Sequence, residues 1–254
     1  MFTEISAFTG LSIDVLPFFI AAMFLAGLIR GFSGFALSAT VMACLSSFIA
    51  PIEIIPICFA LEILAAVIMF RGGLKDADFS LVKGLAIGNF IGVPLGLFVL
   101  TQLDVSTSRI VALTMVMCVG TLLLFRVKAS FLTTQKGPYI GGLTAGIASG
   151  IASIGGMVVA LFVLTLDKAA KEIRASLIIY LMIAMVSSVI YLILYEIMTL
   201  DAIKRAIVAS PIMITGILLG SALFRPSLAK YYKPICLFVL LVICALGLFR
   251  QLIS

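Results

Sequence analysis

Histidine is absent from the 254-residue chain, and charged residues make up only 11% of it. Without histidine, imidazole acid–base catalysis and histidine-ligated metal or haem sites are excluded. Soluble domains carry about 25% charged and 45–50% apolar residues, whereas this chain is 63% apolar. As a water-soluble globule it would leave much of that apolar surface in solvent. The composition therefore indicates an integral membrane protein and excludes the soluble, disordered and nucleic-acid-binding classes, despite a net charge of +6.

Several motifs are missing as well. The five cysteines lie scattered in apolar stretches without a Cys-x-x-Cys spacing, so we interpret them as small buried hydrophobic residues. Residues 1–14 contain no Lys or Arg, and a secretory signal peptide needs a basic start, so we expect no cleavage. No glycine-rich stretch ends in the Gly-Lys-Ser/Thr of a phosphate loop. We therefore expect no enzyme activity, no cofactor, no metal and no ATP-driven pumping.

Apolar runs divide the chain into about eight hydrophobic segments. Six of them have ordinary crossing lengths, since about 20 residues span a bilayer. These six are residues 54–70, 84–103, 110–125, 175–195, 206–224 and 234–249.

The other two segments are longer: residues 15–52 contain one charge, Arg30, and residues 137–166 contain none. An unbroken helix over the first would be roughly 57 Å long, against a hydrocarbon thickness of about 30 Å. Glycines interrupt both runs near their midpoints. The pattern predicts a re-entrant helical hairpin in each run, turning at residues 33–34 and 155–156, because non-helical backbone at this depth must be buried or line a cavity.

The basic residues of the loops test this interpretation. If all eight segments cross, Lys and Arg divide nine against seven between the two sides, which decides nothing. If the two long segments are re-entrant, they divide twelve against four. Because cytoplasmic loops are the basic ones, the hairpin model is favoured, with both termini in the periplasm.

An internal repeat agrees with the charge count. The pair Gly27 and Gly31 matches the pair Gly146 and Gly150 at an offset of 119 residues. A second pair, Gly92 and Gly96, matches Gly216 and Gly220 at an offset of 124 residues. We interpret this second set of four glycines as close-packing faces between helices. We predict an all-α membrane protein of one domain, with a first repeat over 1–130 and an inverted repeat over 131–254. Each half is a broken hairpin plus three transmembrane helices, the plan of secondary transporters with midplane sites.

Residues 145–157 read Ala-Gly-Ile-Ala-Ser-Gly-Ile-Ala-Ser-Ile-Gly-Gly-Met. This stretch resembles the glycine-rich signature of the TauE/SafE sulfite-exporter family. The chain length, the repeated halves and the first-half motif over residues 27–34 fit that family along nearly the whole chain. The resemblance implies a bacterial inner-membrane carrier that exports sulfite, sulfonates or related small anions.

Arg30 is the basic residue that lies deep in an apolar run. A charge at this depth is costly and normally pairs or binds a ligand, and a guanidinium suits oxyanions. Arg30 is therefore an anion ligand, a partner of Glu62, or a residue that snorkels. Each returning half-helix would add free N–H groups and the positive end of its dipole. The candidate substrate-binding residues are Arg30, Gly31, Ser33, Gly34, Phe35, Ser38, Ser149, Gly150, Ser153, Gly155 and Gly156; the alternative is that the Ser and Gly residues only pack the hairpins.

Glu62 is the acid that lies well inside an apolar run. Its carboxyl could take up a proton in a low-dielectric setting, which makes it a proton-coupling candidate, or it could pair with Arg30. Glu53 and Glu172 lie at repeat-equivalent interfacial positions and are interpreted as structural. Further polar residues could line a path, but the sequence does not orient them: Asn89, Tyr180, Ser187, Ser188 and Tyr191.

The predicted function is a secondary transporter that exports small anions across the bacterial inner membrane, with a site between the two breaks. The alternatives are an anion channel on the same scaffold and a membrane-embedded enzyme, although no nucleophile–base pair is visible. The expected partners are a small anion and the lipid bilayer, not nucleic acid, and a homodimer is left open. The sequence leaves the anion, the direction of transport and the coupling ion undetermined.

Overall fold

The computed structural model describes residues 2–34, 36–69, 77–127, 134–163, 166, 170–223 and 229–253. Within these residues the chain forms eleven α-helices and no strand. Their bounds are α1 Phe2–Thr9, α2 Leu16–Ser33, α3 Leu37–Leu45, α4 Pro51–Met69, α5 Phe79–Gln102, α6 Val105–Leu124, α7 Gly137–Ala152, α8 Gly155–Val163, α9 Ala170–Leu194, α10 Leu200–Leu223 and α11 Ala229–Ile253. The predicted all-α fold class is confirmed.

Seven of the described helices are long and apolar enough to cross a membrane: α2, α4, α5, α6, α9, α10 and α11. At about 1.5 Å per residue, their 18 to 25 residues reach roughly 27–38 Å. Large apolar side chains on these helices face outward, among them Phe90, Phe98, Val186 and Ile193, each more than half exposed. Such a surface is stable only in lipid, so the chain is an integral membrane protein.

Two helical hairpins fill the long apolar runs. In the first hairpin, the ring of Phe48, just after α3, stacks on Phe18 near the start of α2, with centroids 5.0 Å apart. In the second, a Cβ on Gly141 near the start of α7 would lie 3.0 Å from the ring of Phe162 at the end of α8. Each nine-residue returning helix, α3 or α8, is about 13.5 Å long. Each chain segment therefore returns to the end of the molecule from which it entered.

The hairpin tips differ in one respect from the sequence prediction. The first break lies between Ser33 and Leu37, as expected, and Gly34 adopts a left-handed conformation with φ 78°. The second break was expected at residues 155–156, but it lies between Ala152 and Gly155, because Ser153 takes the left-handed conformation with φ 57° and Gly155 already begins α8. Gly34 and Ser153 are 119 residues apart, the same offset as the glycine motifs.

Glycine pairs pack the long helix of each hairpin on a crossing helix of the other half. On α2, Gly27 faces Gly216 of α10, and Gly31 faces Gly220. Because residue numbers rise in the same direction along both helices from the first contact to the second, α2 and α10 run parallel. The helices α7 and α5 pack in the same parallel way, through Gly146 on Gly92 and Gly150 on Gly96. The prediction that Gly92, Gly96, Gly216 and Gly220 form close-packing faces is confirmed, and the two halves interlock.

The helix termini meet at two opposite ends of the molecule. At the first end, Arg205 near the start of α10 forms an ion pair of 2.6 Å with Glu53 near the start of α4, and its Nε donates to the carbonyl of Thr9 at the end of α1. At the second end, the backbone N–H of Asp78 before α5 donates to the hydroxyl of Ser176 near the start of α9, over 2.8 Å. The first hairpin thus opens toward the first end and the second hairpin toward the second end.

The connection between α5 and α6 is only two residues long, Leu103 and Asp104. Asp104 caps α6, accepting hydrogen bonds from the hydroxyl of Thr107 at 2.6 Å and from its N–H at 2.9 Å. These two bonds from Thr107 hold the pKa of Asp104 below its usual value. The carboxylate therefore stays ionised at neutral pH, where it satisfies a free amide at the helix start.

Candidate functional site

Arg30 lies in the last turn of α2 and is 7% exposed. Its Nη2 lies 3.3 Å from Oε2 of Glu62, so the two residues form an ion pair inside the protein. Its Nε is buried and has no hydrogen-bond partner within the described part of the chain. Of the interpretations that the sequence left open, the structure therefore contains the pair with Glu62, and it leaves one guanidinium donor uncommitted.

Glu62 lies near the middle of the 19-residue α4 and connects two elements. Its Oε2 pairs with Arg30, while its Oε1 accepts a hydrogen bond of 2.9 Å from the hydroxyl of Ser38 and a longer one of 3.4 Å from the backbone N–H of Ser38. The residue before α3 is Ala36, which has no side chain that could cap the helix. Glu62 therefore supplies from α4 the acceptor that the hairpin itself does not provide.

Both charges of the pair lie where a helix dipole favours them. Arg30 is at the carboxyl end of α2, which carries a partial negative charge. Glu62 is at the amino end of α3, which carries a partial positive charge. Arg30, Ser38 and the start of α3 thus provide hydrogen-bond donors that hold one carboxylate deep in the protein. We call these donors, together with the Glu62 carboxylate that they bind, the Arg30 cluster.

The second hairpin tip reaches the same part of α4 through a residue that the sequence analysis did not single out. The thiol of Cys58 lies 3.9 Å from the carbonyl of Ser38, and the side chain of Ser153 lies near the same thiol. Cys58 is fully buried and lies beside the tips of both hairpins. Helical spacing could have indicated it, because residues four apart such as Cys58 and Glu62 share a helix face.

The remaining predicted site residues divide into packing positions and open positions. The hydroxyl of Ser33 donates to the carbonyl of Ile29 over 2.7 Å. Gly31 and Gly150 lie in the helix contacts described above, and Gly155 packs against Ser149 inside its own hairpin. Gly155 and Ser149 thus pack within their hairpin, whereas Gly31 and Gly150 pack against helices of the other half. Phe35 lies outside the described residues.

Gly34 and Gly156 are the two exceptions. Each is exposed, and a Cβ built on either residue meets no atom within 4 Å. The backbone at each hairpin tip therefore borders open space in the described structure. Glycine at such positions allows a ligand to approach the backbone closely.

A second buried polar contact lies between α5 and α9. The hydroxyl of Tyr180 donates to Oδ1 of Asn89 over 3.2 Å, and both residues are at most 2% exposed. The Nδ2 of Asn89 has no partner among the described residues. Ser187 and Ser188 instead donate to the carbonyl of Ala184 within their own helix. The described residues include no group of three or more metal-ligating side chains.

Residues 19–248 match the model of a protein family whose description is "Sulfite exporter TauE/SafE". The match covers nearly the whole chain. The chain belongs to the TauE/SafE family. No curated protein and no solved structure matches it.

In this TauE/SafE chain the two glycine-rich motifs form the two hairpin tips. The motif over residues 145–157 includes the end of α7, the break and the start of α8, and the motif over residues 27–34 ends at the first break. The family is one of membrane transporters, and seven described helices of crossing length agree with that class. The family therefore gives a transporter of the sulfite-exporter type, and the geometry gives an integral membrane protein.

Proposed function

We propose that this protein is a secondary transporter that exports small anions, such as sulfite, sulfonates or related sulfur oxyanions, across the bacterial inner membrane. The family supports the transporter class. The observation that carries the proposal is the Arg30 cluster, in which a guanidinium, a hydroxyl and the amino end of a half-helix together bind an anionic group, the Glu62 carboxylate. The same donors would bind the transported anion.

The chemistry of these donors fits a small oxyanion. A carboxylate and a sulfonate both offer oxygens on one small centre, which Arg binds through two N–H groups. The Nε of Arg30 is free to form the second of these bonds. Ser38 adds its hydroxyl and its backbone N–H, and the dipole of α3 favours negative charge at this point. Low local dielectric strengthens each of these interactions.

The second hairpin completes the proposed site from the other half of the chain. Ser153, at the second hairpin tip, lies near Cys58, which is four residues before Glu62 on α4. Open space beside Gly34 and Gly156 would give an anion access to both tips. Candidate ligands from this half are Ser149, Ser153, Gly155 and Gly156.

We further propose that residues 1–130 and 131–254 are inverted repeats whose relative movement exposes the site to each side in turn. Support comes from the hairpins, since the first opens toward the end of the molecule that holds α1 and the second toward the opposite end. In transporters with this plan, one repeat moves against the other around a fixed site. Both termini would then lie in the periplasm and the basic connections in the cytoplasm.

Flux measurements test the proposal. Purified protein in liposomes should move a radiolabelled or dye-detected anion from a panel of sulfite, thiosulfate, sulfoacetate and small carboxylates, at rates that saturate with concentration. Protein-free liposomes are the control. Lack of flux for every anion in the panel would contradict the proposed function, and single-channel conductance far above carrier rates would identify an anion channel instead.

A further inference from the structure

We propose that Glu62 is a tethered competitor of the transported anion, so that a proton must bind Glu62 when the anion binds the Arg30 cluster. This inference rests on the proposed function and deepens it, because it makes anion binding at that site depend on the binding of one proton. In the empty protein the ionised carboxylate occupies the anion's place; in the loaded protein the anion occupies it and Glu62 is protonated.

The competition follows from shared donors. Glu62 uses the Nη2 of Arg30 and both donors of Ser38, over 3.3, 2.9 and 3.4 Å. These are the groups that an incoming oxyanion needs. The hydroxyl and the N–H of Ser38 each hold one proton for donation, so neither can serve two acceptors at full strength. The anion can therefore bind only when the carboxylate releases these donors.

Charge balance makes protonation the favoured way of release. Among the described residues, Arg30 is the one cationic group that contacts Glu62, and its single positive charge balances a single negative charge. An ionised Glu62 displaced beside a bound anion would leave two negative charges against one positive charge in a low-dielectric interior. A neutral Glu62 removes that excess and becomes a hydrogen-bond donor.

Within the described part of the chain, the surroundings of Glu62 offer no other group to balance the second negative charge. Cys58 on the same helix faces it and carries no positive charge. On the helices packed against α4, Arg205 binds Glu53 at the first end of the molecule, and Tyr180 bonds Asn89. No other charged or titratable side chain of the described residues forms a hydrogen bond or ion pair with Glu62.

Thermodynamic linkage between proton binding and anion binding gives the expected change of anion affinity with pH. If only the protonated form binds the anion, the apparent affinity falls with the protonated fraction. As the pH rises and the protonated fraction falls, the dissociation constant should increase about tenfold for each tenfold fall in that fraction. The same linkage requires about one proton to be taken up from solution for each anion that binds an ionised protein.

Calorimetry with an alkanesulfonate tests this inference, since the charge of methanesulfonate does not change between pH 5 and 8. Wild-type protein should bind it more weakly as the pH rises and should take up protons, which titration in two buffers of different ionisation enthalpy reports. Glu62→Gln should bind at least as tightly as wild type at low pH, with an affinity that no longer depends on pH and without proton uptake.

Glu53→Gln is the matched control. Glu53 is on the same helix and also pairs with an arginine, but it lies at the end of the molecule, with a side chain 49% exposed. This variant should retain the wild-type pH dependence. If it loses that dependence while Glu62→Gln keeps it, the coupling is assigned to the wrong carboxylate.

The remaining outcomes separate the two proposals. Wild-type binding that is independent of pH and releases or takes up no protons would overturn the competitor role and leave the transporter proposal standing. Weaker binding by Glu62→Gln at every pH would make Glu62 a supporting residue instead. If Glu62→Gln does not fold, proton uptake by the wild type decides the question. Absence of anion binding by every well-folded form would overturn both proposals.

Discussion

Arg30 and Glu62 show how a charged pair is stabilised deep in an apolar protein. Removing two charges from water is costly, and their mutual attraction compensates only when other polar groups also satisfy them. Here the carboxylate receives three contacts, and each charge lies at the end of a helix whose dipole has the opposite sign. The guanidinium retains a buried donor without a partner, Nε. The carboxylate is therefore better satisfied than the guanidinium, whose free Nε is the donor that the proposed anion site would use.

Substitutions of Arg30 should separate the effect of the guanidinium's geometry on anion affinity from the effect of its charge. Arg30→Lys keeps the charge but loses the planar fork, so we expect anion affinity to fall about tenfold or more, since charged hydrogen bonds contribute about 1.5–3 kcal/mol and about 1.4 kcal/mol equals one decade. Arg30→Ala should bind still more weakly. Binding and melting temperature should be measured together.

The matched control is Arg205→Lys. Arg205 is also buried and also pairs with a glutamate, but at the first end of the molecule. The substitution Arg205→Lys should lower the melting temperature without changing the anion affinity. Unchanged affinity in a stable Arg30→Ala protein would remove Arg30 from the site.

At the residue scale, the sequence identifies the unusual charges but not their contacts. Arg30 and Glu62 are conspicuous because few charges interrupt the apolar runs. Their pairing depends on how α2 rotates against α4, which hydropathy does not encode. The same limit applies to the glycines: Gly31 and Gly150 lie in helix contacts, whereas Gly34 and Gly156 border open space. Only the packed structure distinguishes these two roles.

At the scale of helices, the contacts lined by glycine are the main contacts that hold neighbouring helices together. A Cβ on Gly216 would lie 2.5 Å from the carbonyl oxygen of Phe24, and a Cβ on Gly220 the same distance from that of Leu28. No side chain fits there, so backbone touches backbone along α2 and α10. In a bilayer, where lipid tails are as apolar as leucine, such close van der Waals contact is a principal source of helix association.

Gly216→Ala should therefore weaken the protein, because the methyl group meets backbone that cannot move aside. We expect a loss of about 1–3 kcal/mol, typical of overpacking, measured as a lower melting temperature in detergent. Gly120→Ala on α6 is the control: the nearest atoms to its new methyl group belong to flexible side chains, Leu241 at 3.2 Å and Met157 at 3.8 Å. Equal effects of the two substitutions would contradict the proposed importance of the α2–α10 contact.

The hairpins could be predicted from sequence because apolar runs with at most one charge that are too long for one crossing must bend or turn back. The exact tip could not. Glycine is the expected residue for a left-handed backbone, yet at the second tip Ser153 adopts it and the neighbouring glycines begin α8. The short α1 was not predicted either, since its eight residues are too few to show a pattern.

At the scale of the whole molecule, the basic residues are distributed unevenly between the two ends at which the helices begin and finish. The connections α4–α5, α6–α7, α8–α9 and α10–α11 join helices at the second end. Twelve Lys and Arg lie in or beside them, within residues 71–83, 126–136, 168–174 and 225–233, against four near the first end. By the positive-inside rule, the second end is expected to face the cytoplasm.

Cysteine labelling tests this orientation. In a variant without the five native cysteines, Gln135→Cys and Lys168→Cys should both react with an impermeant maleimide only after the membrane is opened. Ser106→Cys, in the first turn of α6, should react in intact cells and serves as the control. Opposite accessibility of positions 135 and 168 would mean that residues 137–166 cross the membrane completely.

The crossed packing of the halves also sets an order of assembly during synthesis. When α7 leaves the ribosome, its partner α5 is already in the membrane. The partner of α2 is α10, whose end at Leu223 is made 190 residues after Ser33. At about 5–20 residues per second, this interval lasts roughly 10–40 s. The long helices of the two hairpins thus have unequal histories: the glycine face of α2 is expected to contact lipid or the insertion machinery for most of translation, and to dock only when α10 has been made.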